Sequence, residues 1–301
     1  MKRVTQLDLV RRMTAWEASR YHRAIEANLR GDHATAMRGY RKILARNKRC
    51  WPALFSAAVL GHHHLEHEWA AAQLAKITRA EPGFLEAWFN YGTILQHLGK
   101  YDEAERALRV AADMDPTFCG ARTNLGNALL GLGRFDEAMA EFTEAMRLAP
   151  TDPEARWNRA HVLLLLGQWD EGWSSYEERW RIPGFIVQNQ VTLPEDHPAR
   201  PWTGQSLAGK RLVVVEEQGY GDTVLCLRYA SALAGMGATV IWAVRPDLLR
   251  LVAASVGGQQ VVSVHEQMPE ADYLVPCMSL HHWLGVRPET VPQPEGYLRV
   301  A

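Results

Sequence analysis

The sequence predicts an α + α/β protein, with an all-α array of repeated helical hairpins followed by a parallel α/β half-domain. Three observations carry this. A 34-residue period governs the first part of the chain and is clearest over Leu85–Pro150. From Lys210 the apolar pattern changes from helical spacing to short continuous runs. Between the two, Pro183–Gly209 is rich in proline and polar residues and has no helical period, which reads as a connector partly ordered through Trp202.

The period is explicit. Trp88, Gly92, Leu95, Gly99, Tyr101, Ala104, Leu108, Ala111 and Pro116 return 34 residues later as Arg122, Gly126, Leu129, Gly133, Phe135, Ala138, Phe142, Ala145 and Pro150. Only Trp88/Arg122 changes character. Three columns extend through every copy: Ala24, Ala58, Gly92, Gly126, Ala160; Ala36, Ala70, Ala104, Ala138, Gly172; and Tyr40, Leu74, Leu108, Phe142, Tyr176. Small residues let paired helices approach, and the large residue fills the space beside them. Gly31, Gly99, Gly133 and Gly167 stand where the first helix of a pair ends and tolerate its left-handed cap. Leu65 breaks that column, which predicts an altered turn in the second repeat. Pro82, Pro116 and Pro150 close repeats, since proline cannot continue a helix. Asp102-Glu103, Asp136-Glu137 and Asp170-Glu171 open second helices, where acid complements the helix dipole. A fixed period of this length is the signature of a tetratricopeptide array.

The expected organisation is residues 1–16 as a lead-in, 17–186 as five repeats, 187–209 as a linker and 210–301 as the half-domain. Leu7, Leu9, Val10 and Met13 make the lead-in either a short helix or a frayed terminus. Such arrays coil into a superhelix whose concave groove is lined by first helices. There Asn90, Asn124 and Asn158 recur at one position. A column of amides could hydrogen-bond the backbone of an extended protein or peptide partner without reading its side chains. The alternative is that asparagine is merely common at this repeat position. Phe89, Thr123 and Trp157 precede the column, and Thr93, Asn127 and His161 follow it, so Asn127 and His161 join the candidate partner-binding residues.

Composition narrows the function. A formal charge of −1 on 301 residues argues against a general nucleic-acid or membrane-surface binder. No apolar run is long enough to span a bilayer, and the first sixteen residues lack a signal-peptide core, so a cytoplasmic protein is expected. Cys50, Cys119, Cys226 and Cys277 are scattered, which suggests neither a zinc site nor a disulfide framework. Gly61-His62-His63-His64-Leu65-Glu66-His67 places His63 and His67 four apart, yet it reads as a solvated histidine-rich turn, and no metal is expected. The tryptophan-dense run Trp169–Trp180 reads as the capping end of the array.

In the second part, Leu212–Val215 suits a strand buried on both faces. A helix is expected over Thr223–Met236, a strand over Thr239–Val244, a helix over Pro246–Ser255, then strands at Gln260–Val264 and Tyr273–Val275 and a helix at Ser279–Leu284. This alternation means a Rossmann-like parallel sheet. Ligands gather at the carboxyl ends of such strands, which points to the turn Gln218-Gly219-Tyr220-Gly221-Asp222. Gly219 and Gly221 permit a tight bend and close backbone approach. Asp222 is either a helix cap or a carboxylate aimed into the crevice. A dinucleotide is not expected: the third glycine of the fingerprint falls at Val224, and Ala243-Val244-Arg245 offers no acid for a ribose.

Gly172-Trp173, Tyr176-Glu177, Arg179-Trp180, Pro201-Trp202-Thr203-Gly204, Leu207-Ala208-Gly209-Lys210, Glu217–Thr223 and Arg228-Tyr229 together resemble the bacterial tetratricopeptide-repeat glycosyltransferases. These look like relatives of the protein O-GlcNAc transferases and, in the glycine-aspartate turn, of the heptosyltransferases. The resemblance covers the chain from Glu17 and is specific over Trp169–Tyr229. It implies the N-terminal half of a GT-B enzyme, with Asp222 as the catalytic base and Asn90, Asn124 and Asn158 holding acceptor protein. In such enzymes a second domain supplies most of the nucleotide-sugar site, and Ala301 falls about where that domain should begin. Pro294–Val300 reads as the crossing segment. The expectation is therefore a protein-binding module fused to a transferase-like half that is inactive alone. No cofactor is expected, a nucleotide sugar entering only with a second domain, and homo-oligomerisation is possible through the uncovered wall. The alternative is the acceptor-binding part of a protein O-glycosyltransferase.

Overall fold

A computed structural model describes residues 3–185, 198–292 and 296–299. Residues 187–197 of the expected linker, and Pro294, Glu295 and Val300 of the expected crossing segment, lie outside the described residues. The chain divides into two compact units, Met1–Val162 and Leu163–Ala301, with the division inside one helix.

The first unit is helical. After a short α1 (Gln6–Val10) come α2 (Ala15–Leu29), α3 (His33–Arg46), α4 (Trp51–His63), α5 (His67–Ala80), α6 (Leu85–His97), α7 (Tyr101–Met114), α8 (Cys119–Gly131) and α9 (Phe135–Leu148). The next helix, α10 (Pro153–Leu165), contains the division. Helices pack as α2/α3, α4/α5, α6/α7 and α8/α9, and the first helices α4, α6 and α8 also touch in sequence. Ala36, Ala70, Ala104 and Ala138 are fully buried, as are Tyr40, Leu74, Leu108 and Phe142. The fit is tight. A Cβ on Gly92 would lie 2.5 Å from Leu108 Cγ, and one on Gly126 would lie 2.6 Å from Phe142 Cε1.

The turn glycines behave as their column requires, with φ of 77° at Gly31, 70° at Gly99, 71° at Gly133 and 75° at Gly167. Leu65 corrects the expectation of an altered turn. It adopts the same left-handed conformation, φ 65°. Leu65 N–H donates to His62 O (3.0 Å) and Glu66 N–H to Gly61 O (2.9 Å), matching Gly99 to Gln96 and Lys100 to Leu95. Packing of the helix pair fixes the turn, and the leucine carries the strain.

The lead-in is ordered. Thr5 and Asp8 cap α1 reciprocally, and Leu9 is buried against Leu54, Phe55 and Phe84.

The second unit opens with the end of α10, then α11 (Trp169–Tyr176) and a 3₁₀ turn, Glu177–Arg181. Its sheet holds β1 (Arg200–Pro201), β2 (Arg211–Val215), β3 (Thr239–Val244), β4 (Gln260–Ser263) and β5 (Tyr273–Pro276), all parallel, in the order β1-β5-β2-β3-β4. Leu212–Val215 and Val240–Val244 are buried, as strands covered on both faces must be. β3 and β4 extend to one side of β2 and β5 lies on the other, so the strand order reverses between β2 and β5. The expected helix after β2 begins earlier and is broken: α12 is Tyr220–Cys226, a 3₁₀ turn covers Leu227–Tyr229, and α13 is Ala230–Gly235. Among the described residues the remaining α-helices are α14 (Leu249–Ser255) and α15 (Leu280–Trp283), each preceded by a 3₁₀ turn. β1, the edge strand, was not expected. It is two residues long, and its proline hides it from a strand pattern.

Candidate functional site

In the helical unit, Asn90, Asn124, Asn127, Asn158 and His161 are all half-buried on first helices. The asparagine column is partly spent on the protein itself. Asn90 Nδ2 donates to Glu86 O at 2.7 Å, within its own helix. Asn124 Nδ2 donates to Thr93 Oγ1 on α6 at 2.8 Å, and Gln96 Nε2 donates back to Asn124 O at 2.5 Å. Thr93 and Asn124 are thus brought together and tie successive first helices. These donors leave the Asn90 and Asn124 amide oxygens as the groups that can still accept. Further along, the Trp157 and His161 rings meet edge to face at 5.1 Å, and His161 Nδ1 lies 3.0 Å from Trp157 O. Burial holds the His161 pKa below its ordinary value.

The histidine-rich turn is less solvated than expected. His62 Nδ1 lies 2.8 Å from His67 Nδ1, and both rings lie against His97 from the next repeat. Burial, then the neighbouring imidazoles, pulls His62 down to about 4. Among the described residues no group of three or more His, Cys, Asp or Glu side chains could hold a metal ion.

In the α/β unit, the turn after β2 differs from the expectation in one respect. The left-handed residue is Gln218, φ 60°, rather than either glycine. Gly219 N–H donates to Asp222 Oδ2 at 2.9 Å, so Asp222 reaches back to the N-cap of α12. A Cβ on Gly221 would meet nothing within 4 Å. Arg245, at the end of β3, donates to Gln218 O at 2.7 Å and lies 4.6 Å over the Tyr220 ring. Tyr220 Oη donates to Asp247 at 2.8 Å.

The crevice where the strand order reverses is filled by the chain's own side chains. Glu217 follows β2, and Met278 and Ser279 follow β5. Into this point comes Arg179, wholly buried. Its Nε and Nη2 donate to the two Glu217 oxygens at 3.1 and 2.9 Å, Nη2 also to Ser279 Oγ at 2.8 Å, and Nη1 to Glu177 at 2.6 Å and Tyr176 O at 3.1 Å. Met278 N–H donates to Glu217 Oε1 at 2.7 Å. Burial pushes the Glu217 carboxyl up, against the pull of Arg179. Nearby, Trp173 stacks on His281 at 4.4 Å and donates to Val286 O, and burial pulls His281 down to about 4. Arg179 stands among the residues that carry the resemblance, but its partners Glu217 and Ser279 lie 38 and 100 residues away, so its burial has no local signal in the sequence.

Residues 85–118 and 129–172 each match a tetratricopeptide-repeat family. The helical array is built of tetratricopeptide repeats. Among solved structures, the chain resembles MamA 41-end from Desulfovibrio magneticus RS-1, with a TM-score of 0.50 and 15% identity over 58% of this chain and 98% of that one. It also resembles a thermophilic TPR protein of Thermus thermophilus (TM-score 0.47, 19% identity, 57% and 96% covered). A third is YrrB, described as a TPR protein with an unusual peptide-binding site (TM-score 0.47, 18% identity, 56% and 89% covered). At these identities the likeness is one of fold. No curated protein matches the sequence. Among the described residues no helix is long and apolar enough to cross a membrane.

The repeat register extends the amide column toward the N-terminus. Thirty-four residues before Asn90 stands Ser56, on α4. Its hydroxyl lies 2.9 Å from Tyr21 Oη and accepts from Gln6 Nε2 at 3.5 Å. The period alone could have found this position.

Proposed function

We propose that the chain is a protein-binding module whose TPR first-helix face holds an extended segment of a partner protein. The observation that carries this reading is the asparagine at one register position of α6, α8 and α10, half-buried, with one amide N–H each of Asn90 and Asn124 turned to the protein and the amide oxygen left to accept. Amide oxygens stepping along adjacent first helices suit the backbone N–H groups of an extended peptide. Asn127 and His161 flank that line. The test is affinity, by fluorescence anisotropy, for a peptide selected on the wild-type chain. Asn90→Ala with Asn158→Ala should weaken it at least tenfold while the thermal midpoint moves by no more than about 2 °C, as for exposed polar changes. Asn124 is left out of that variant because it ties α6 to α8. Unchanged affinity rules the amide column out.

A second reading attaches to the α/β unit. The reversal of strand order beside the β2 turn favours a nucleotide-type fold, and with the resemblance noted above it supports a glycosyltransferase-like half with Gly219 and Gly221 at the ligand turn. Asp222 would then be a general base toward a protein hydroxyl. Its bond to Gly219 N–H weighs toward the cap role, and Arg179 occupies the crevice. Calorimetry with nucleotide sugars decides: micromolar binding supports a donor site in this chain, and no heat leaves the protein-binding role alone.

A further inference from the structure

Residues 3–13 lie on the repeats in the manner of a bound peptide. Val4 N–H donates to Gly83 O at 2.7 Å, and Val4 pairs in parallel with Phe84, just ahead of α6. Gln6 Nε2 donates to Tyr21 Oη on α2 at 2.6 Å and reaches Ser56 Oγ on α4. It therefore lands on the column position that Asn90 and Asn124 hold in the following repeats. Arg3 pairs with Asp115 at 2.9 Å and Arg12 with Glu81 at 2.7 Å. Asp115 and Glu81 are themselves 34 residues apart, at the ends of successive second helices. A backbone bond, an amide on the column and a basic side chain on each inter-repeat acid are the chemistry of peptide capture.

The grip is light. Both ion pairs are exposed on the arginine side, and exposed pairs hold weakly. Leu9 is the only residue of the segment buried in the core, whereas Leu7 is 58% exposed. Beside Gln6 a cleft of about 580 Å³, walled by Ile25, Asn28, Ser56, Val59 and His63, is not filled by the segment.

Building on the peptide-binding reading, we infer that residues 3–13 are a resident, displaceable occupant of the first-helix face over the first three repeats. The partner segment that fits carries a basic side chain three residues before an amide, as Arg3 and Gln6 do, and docks by displacing the chain's own. Covering this stretch would leave Asn90–Asn158 open to a partner while holding Ser56 and its cleft in reserve.

The experiment uses a fluorescently labelled peptide of residues 1–13 and the chain lacking those residues. Saturable binding is expected, at least tenfold tighter than to the full chain, and at least tenfold tighter than that of the same peptide with Arg3→Ala and Gln6→Ala. Equal affinity in either comparison, or a folded truncated chain that does not bind, overturns the proposal. If truncation costs helix content, the full chain carrying Arg3→Ala and Gln6→Ala decides, because it retains Leu9: it must bind the wild-type peptide at least tenfold tighter than its parent, and no gain overturns the proposal. Asn90→Ala with Asn158→Ala should leave this binding unchanged, which separates a failure here from a failure of the amide column.

Discussion

Replacing Arg179 with methionine removes a guanidinium that is wholly buried and holds both oxygens of Glu217, whose side chain is also wholly buried. The methionine keeps most of the packed volume, so the change isolates the charge. Glu217 would retain one donor, the Met278 N–H. Stranding one partner of a buried pair costs about 3–5 kcal/mol. In a unit of this size each kcal/mol moves the midpoint by about 3 °C, so a fall of about 10–15 °C is expected for the α/β transition. Differential scanning calorimetry at pH 7 reads it. The paired variant Arg179→Met with Glu217→Leu removes both charges and should recover most of the loss, because a buried ion pair is worth little more than an apolar replacement of like volume. A single-variant loss below about 1 kcal/mol, or a paired variant as unstable as the single one, would refute the claim that this pair is the electrostatic core of the crevice.

Leu65→Gly should raise the midpoint of the helical unit by about 1–3 °C: the left-handed leucine costs about 1–2 kcal/mol, glycine returns part of that as chain entropy, and the side chain is 78% exposed. Gly126→Ala, helix-favouring in isolation, should instead destabilise by about 1–3 kcal/mol, since the new Cβ would lie 2.6 Å from Phe142. Gly221→Ala, with nothing within 4 Å, serves as its neutral control in the same chemical melts. Stability should also fall on acidification. His281 is held near 4 by burial and titrates near 6.5 when unfolded, so the unfolded chain binds the extra proton first. The contribution is complete above about pH 7 and is lost as pH falls from about 6.5 toward 4, by up to about 3 kcal/mol. His62 adds in the same direction. A melting profile from pH 8 to 4.5 should flatten in His281→Phe, and an unaltered slope would remove this histidine from the account.

The helical part was legible because its geometry repeats. Each column fixed a helix face, and a left-handed turn needs only a glycine in register. Leu65 shows where that logic ends: residue preference predicted a different turn, and the packing of α4 against α5 imposed the common one. In the α/β part the continuous runs at Leu212 and Thr239 announced buried strands. β1 did not, since two residues pairing with Tyr273 and Leu274 leave no periodicity to read. The turn after β2 was located correctly, yet the strained position went to Gln218. The cap made by Asp222 is local and could be read, whereas the bonds of Arg179 to Glu217 and Ser279 and of Gln6 to Tyr21 are fixed by long-range packing, which no local pattern encodes.

Trp202 and Trp242 have practical value as spectroscopic reporters. Both are almost wholly shielded from water, at 1% and 0% exposure, and both belong to the sheet-bearing unit. By contrast, the helical unit's Trp16, Trp51, Trp88 and Trp157 are half-buried and its Trp69 is exposed. The short-wavelength edge of the intrinsic emission therefore comes chiefly from the sheet-bearing unit, whose half-buried Trp169, Trp173, Trp180 and Trp283 add to the red side with the tryptophans of the helical unit. Read at its blue edge during a melt, one unlabelled sample thus reports chiefly on the sheet-bearing unit.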